Sequence, residues 1–119
     1  MPITLTALEI QALGAITSSD YYENGRGSVV WDWSVYENCD FKGKKRSGVF
    51  SSLVQKGVIV VTAGEQRFIK NSDGTKSPNK YWDRSGRNFG TIYITEQGYG
   101  LLDELDLLDE YHCVRAQFL

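Results

Sequence analysis

The sequence predicts one α+β domain. Three observations lead there. Leu8, Ile10, Leu13 and Ile16 recur near helical spacing close to the N-terminus. Gly57 stands between an amphipathic stretch and the β-branched run Val58-Ile59-Val60-Val61, where a helix ends and a strand begins. A second run, Thr91-Ile92-Tyr93-Ile94, returns after a long polar stretch and leads into a last helical segment. The 119 residues, 41% apolar and 24% charged, suffice for a single core without disulfides or a metal. With 3 Trp, 7 Tyr and 5 Phe the chain is too aromatic to be wholly disordered.

Each element has its own local cause. Thr6-Ala7-Leu8-Glu9 is a capping box, so the first helix should run from there to about Ser18, with Gly14 marking a weak point or a close helix contact. Asn24-Gly25 and Gly27 are turn chemistry. Periodicity does not decide whether Val29, Val30 and Trp31 form a strand or follow a Ser28 cap, so a short strand or turn entering a short helix over 31–38 is expected. Trp31, Trp33 and Phe41 are expected in the core, where large aromatics supply buried area. Over 44–56, Val49, Phe50, Leu53 and Val54 make one apolar stripe opposite Lys45, Ser51, Ser52 and Gln55. Residues 64–89 are rich in turn residues and predict a hairpin with a long arm and its tip near 71–79, part of it mobile. Thr95 should cap a last helix over about 95–110, with Leu101, Leu102, Leu105 and Leu108 on one side and carboxylates on the others. No linker or repeat divides the chain, so residues 1–119 are expected to form one domain.

The net charge of −2 conceals a separation. Residues 42–90 hold eleven basic residues against three acidic ones, +8, and the remainder holds two against twelve, −10. A concentrated positive field attracts phosphate and releases counterions, although a lysine-rich loop can also be merely solvated.

The order helix, short element, helix, strand, basic hairpin, strand, helix resembles a winged helix-turn-helix domain. Ser51-Ser52-Leu53-Val54-Gln55-Lys56-Gly57-Val58-Ile59 is similar to the end of that family's recognition helix and the turn into its wing. Asp83-Arg84-Ser85-Gly86-Arg87, leading to Ile94-Thr95-Glu96-Gln97-Gly98, resembles the wing and following helix start of MarR-like transcription regulators. The resemblance covers 44–63 and 83–108. It implies three to four helices with a two- to three-stranded antiparallel wing, here longer than usual at about 64–89. Arg46 stands where the family often keeps an apolar residue, and the N-terminal portion is shorter than in full MarR-like proteins.

That resemblance implies a small transcription regulator binding double-stranded DNA. Lys44, Lys45, Ser47, Ser51 and Ser52 would face the groove, with Gly48 permitting close approach. Arg67, Lys70, Lys76, Lys80, Arg84 and Arg87 would lie along phosphates. Tyr81 and Trp82 could stack on bases, although packing of the arm onto the domain is the reading preferred. A homodimer joined through Leu101, Leu102, Leu105 and Leu108 is expected, unless those leucines only close the core. A protein-interaction module using the acidic last helix, in an accessory or phage-encoded factor, is the alternative.

No enzyme is expected. Glycine-rich phosphate loops, Gly-x-Ser-x-Gly and His-Glu-x-x-His are lacking from the sequence, and His112 is the one histidine. Cys39, His112 and Cys113 could meet in space, but structural thiols are the expectation, with no metal and no cofactor. Apolar runs are too short for a membrane span, and the N-terminal residues lack the marks of a leader, so a cytoplasmic protein is expected.

Overall fold

A computed structural model describes residues 3–23, 25–64, 66–84 and 89–119. Helix α1 spans Ala7–Thr17, and both halves of the capping box form: Glu9 N donates to Thr6 Oγ1 at 3.2 Å and Thr6 N donates to Glu9 Oε1 at 2.8 Å. Strand β1 (Val30–Trp31) leads directly into α2 (Asp32–Asn38), as the sequence suggests. Phe41 is buried and Trp33 half-buried, but Trp31 is exposed. In a two-residue strand successive side chains face opposite ways, and Val30 takes the core side.

Helix α3 spans Gly43–Gln55. Phe50 and Leu53 are buried and Val49 is half-buried, whereas Val54, expected on the same stripe, is exposed. The helix ends as Gly57 predicts. Gly57 adopts φ +73°, its N–H donates to Val54 O at 3.0 Å, and Val58 N donates to Leu53 O at 3.0 Å. These paired bonds satisfy the last carbonyls, and Val58 and Leu53 are both buried beside them.

Strand β2 (Ile59–Thr62) pairs antiparallel with β5 (Thr91–Ile94), and β5 pairs antiparallel with β1, giving the order β1-β5-β2. The connection from β2 to β5 carries a separate hairpin, β3 (Phe68–Lys70) with β4 (Lys76–Pro78). Its tip is a hydrogen-bonded turn. Asn71 N donates to Thr75 O at 2.7 Å, and Asp73 Oδ1 accepts from Thr75 N and Oγ1 at 3.0 and 2.6 Å. Those bonds from Thr75 hold the Asp73 carboxyl below its ordinary range.

Helix α4 spans Glu96–Glu104 and is capped as expected by Thr95, whose Oγ1 accepts from Gly98 N at 2.9 Å. The same hydroxyl donates to Gly57 O at 2.6 Å, tying the start of α4 to the end of α3. Gly98 is needed here, because a Cβ would collide with the Val58 carbonyl.

The last helix stops about six residues earlier than the sequence suggests. Asp106 takes φ 54°, Asp106 N donates to Asp103 O at 3.0 Å, and Leu107 N to Leu102 O at 3.0 Å. This is the closing pattern of α3 repeated with an aspartate in place of glycine. Further carboxylates in helix would have met the negative end of the dipole. The chain instead turns back through a Leu108–Val114 bridge and buries Leu107 and Leu108. A 3-10 turn (Ala116–Phe118) packs on α1, and the Leu119 side chain lies against Gly14.

The molecule is thus α+β, with four α-helices and two small antiparallel sheets among the described residues. Leu13, Ile16, Leu53, Ile59, Ile92 and Leu102 are fully buried at its centre. No helix among the described residues is long and apolar enough to cross a membrane.

Candidate nucleic-acid interface

Lys44, Lys45, Ser47, Gly48 and Ser51 are exposed on α3. The ion pairs among the described residues are Arg26–Asp103, Lys56–Glu9 and Arg115–Asp106, so Lys44 and Lys45 carry charge that no carboxylate of this set neutralises. A Cβ on Gly48 would meet nothing within 4 Å.

Ser52 behaves differently. It is half-buried, and its hydroxyl donates to Glu9 Oε2 at 3.0 Å. Lys56 Nζ donates to Glu9 Oε1 at 2.7 Å and to Thr4 O at 2.8 Å. Glu9 is 2% exposed. Burial pushes its carboxyl up, but the bonds from Lys56, Thr6 and Ser52 and the Lys56 charge outweigh that and hold it below its ordinary range. Ser52 and Lys56 therefore anchor α3 to α1, which removes Ser52 from the expected groove-facing set. The i, i+4 spacing of Ser52 and Lys56, the latter capping the end of α3, is the sequence signal that could have grouped them.

Arg46 also has an internal use. Its guanidinium lies 4.4 Å from the centre of the Tyr36 ring, and Tyr36 meets Phe50 edge-on at 5.3 Å. The cation covers an aromatic pair where the sequence had suggested a misplaced charge. Tyr36, Ser47, Phe50, Ser51, Val54 and Val61 line a shallow groove of about 360 Å³. The polar side of α3 and the strand leading to the hairpin thereby share one surface.

On the hairpin, Arg67, Lys70, Lys76, Lys80 and Arg84 are all exposed. Arg87 lies outside the described residues. Arg67 sits 5.5 Å from the Phe68 ring and 5.5 Å from the Trp82 ring. Trp82 is half-buried, while Tyr81 is 71% exposed with Lys80 Nζ 5.0 Å from its ring centre. Asn79 builds the turn that carries Tyr81. Its Nδ2 donates to Gln66 O at 2.8 Å, and its Oδ1 accepts from Tyr81 N at 3.0 Å.

The four leucines expected at a dimer seam separate. Leu102 and Leu108 are buried within the chain, Leu101 is half-buried, and Leu105 is 45% exposed. Leu108 lies beyond the helix, in the bridge with Val114.

The structure also holds a cluster that the sequence did not suggest. Tyr22 OH donates to His112 O at 2.9 Å and bonds Tyr99 OH at 2.8 Å. Arg26 pairs with Asp103, donates to His112 Nδ1 at 3.1 Å and lies 5.1 Å from the Tyr99 ring centre. Burial, then the bond to Tyr99, pushes the Tyr22 hydroxyl far up, so it stays a neutral donor. A cleft of about 610 Å³ opens beside Arg26, Val29, Tyr93, Glu96 and Tyr99, and its one cation is already committed to Asp103. Burial raises both thiols, that of buried Cys39 and that of half-buried Cys113, the latter with help from Asp109. No group of three or more His, Cys, Asp or Glu side chains suited to a metal occurs among the described residues.

No family profile matches the chain, and no curated protein sequence does either.

Proposed function

We propose that this chain is a winged-helix protein that binds double-stranded DNA, a small transcription regulator using α3 and the hairpin. The observation that carries this is the groove lined by Ser47 and Ser51 of α3 and Val61 of β2, which puts the uncommitted face of α3 beside the root of the basic hairpin. A helix and an adjoining hairpin that share a surface can engage a duplex together, one in the major groove and one along the backbone. The element order and the β1-β5-β2 sheet are compatible with that architecture. Lys44, Lys45, Ser47 and Ser51 are the residues of α3 free to reach DNA. Lys70, Lys76, Lys80 and Arg84 supply phosphate contacts, with Arg67 set against the Phe68 and Trp82 rings and Arg87 next among the cations in sequence. No metal, cofactor or catalytic group enters this function.

The homodimer belongs to the same proposal in a narrower form, with Leu105 and the outer side of Leu101 as its apolar contacts. A second function is favoured by one observation: Leu105 and Tyr111 are exposed among Asp103, Glu104, Asp106, Asp109 and Glu110, a surface suited to a basic protein partner. Titration of purified protein with random and selected duplexes across a salt series separates the two. DNA binding gives an affinity that falls steeply with salt, by about one power of salt concentration for each phosphate contact. Absence of binding at low salt overturns the DNA assignment and leaves the acidic surface.

A further inference from the structure

We infer that the hairpin arm binds unpaired nucleic-acid bases, with the Tyr81 ring as stacking platform and Lys70 and Lys80 holding the phosphates. This deepens the proposed DNA binding and rests on it for the class of ligand. The arm has a groove of about 480 Å³ lined by Gln66, Phe68, Ile69, Lys70, Asn79 and Tyr81. Phe68, Ile69 and Tyr81 are 47%, 50% and 71% exposed, so the groove shows aromatic and aliphatic faces to solvent.

The charge selects the occupant. Residues 66–84 hold five cations, Arg67, Lys70, Lys76, Lys80 and Arg84, against Asp73 and Asp83. Asp73 is occupied by the two bonds from Thr75 in the tip. A polyanion that also offers flat π-faces satisfies both halves of this surface. Paired DNA hides its base faces in the stack, whereas an unpaired base exposes one. A cation beside the ring adds attraction for the phosphate of a nucleotide stacked there.

Tyr81 is also held ready. Asn79 is buried, accepts from Tyr81 N on one arm and donates to Gln66 O on the other, so the ring stands on a cross-linked turn. Trp82, the other aromatic of this pair, is half-buried with Arg67 against it and takes a packing role. Asn79 acts as a positioning residue and Tyr81 as the contact.

The test compares a fully paired duplex with the same duplex carrying a short single-stranded gap, using the full chain and fluorescence anisotropy. Stacking of one base should favour the gapped DNA by about 5- to 150-fold. Tyr81→Ala should abolish the preference and leave affinity for the paired duplex unchanged, while Tyr81→Phe should retain it. Equal affinity for both DNAs, or a preference that survives Tyr81→Ala, overturns the inference and leaves duplex binding standing. Binding to gapped DNA with none to the paired duplex supports this site and overturns the duplex assignment, and binding to neither overturns both. Sedimentation without DNA supplies the other outcome. Oligomers that Tyr81→Ala dissolves would assign the groove to a second copy of the chain and overturn its assignment to bases.

Discussion

The Glu9 carboxylate serves two contacts with one side chain. It closes the capping box of α1 and receives Ser52 and Lys56 from α3. The first contact was legible because its partners lie three residues apart; the second joins residues separated by 43 and 47 positions, and no local pattern encodes that. Because the folded carboxyl titrates below its unfolded counterpart, its contribution is present above the unfolded pKa and is lost as pH falls through the folded one. Glu9→Gln should therefore cost about 1–3 kcal/mol at neutral pH and less in acid. Urea unfolding of both proteins at pH 7 and in acid well below the ordinary carboxylate range measures the difference. Two glycines give a contrasting pair. Gly57→Ala should cost about 1–2 kcal/mol, since a side chain is strained at φ +73°. Gly48→Ala should gain up to about 1 kcal/mol, because the site is helical and open. If α3 lies close to DNA, the same added methyl should weaken binding while thermal stability rises, which melting and titration of one variant show together.

Helices α3 and α4 close by the same bonds, yet only the first closure was legible. Gly57 announces a left-handed residue, whereas Asp106 reaches that conformation inside a stretch whose leucines continue at helical spacing. The spacing of Leu101, Leu102, Leu105 and Leu108 thus suggested one surface, and the turn after Glu104 divides it between core and solvent. Leu102→Asp should leave the protein unfolded at any concentration, because that side chain is fully buried. Leu105→Asp should remain folded by circular dichroism. If Leu105 joins two copies, equilibrium sedimentation should find that variant monomeric where the wild type is not. Strands β2 and β5 and the hairpin were readable because β-branched runs and turn residues act locally; β1 was left open because two residues carry no period.

Across the whole molecule, charge separation was the feature most legible in advance, and the fold keeps it. Acidic-side cations are consumed in pairs, Arg26 with Asp103 and Arg115 with Asp106, while Arg67, Lys70, Lys76, Lys80 and Arg84 of the hairpin are exposed. The Cα radius of gyration, 15.9 Å, exceeds the roughly 13.5 Å expected of a compact chain this long, as a projecting arm requires. Arg84→Ala should lower affinity for all duplexes alike and reduce the salt slope by about one. Ser51→Ala should instead narrow the gap between a selected and a random duplex. Paired titrations of each variant at several salt concentrations check both. The shared surface of Ser51 and Val61 was not legible, since it depends on how α3 lies against β2.

The separate pairing of β3 with β4 has a kinetic consequence. None of the β3 side chains is buried, so the arm has no apolar core of its own, and it should open while the rest stays closed. Its amides should exchange with deuterium early, whereas those of β5, paired on both edges, should wait for global unfolding. Trypsin should then cut first at Lys70 or Lys76, at the strand ends flanking the tip. Such a cut leaves β2 on one fragment and β5 on the other, joined by four ladder positions and a common core. The nicked protein should run as two bands under denaturing conditions and as one species in its native state, a molecule severed in its chain and whole in its fold.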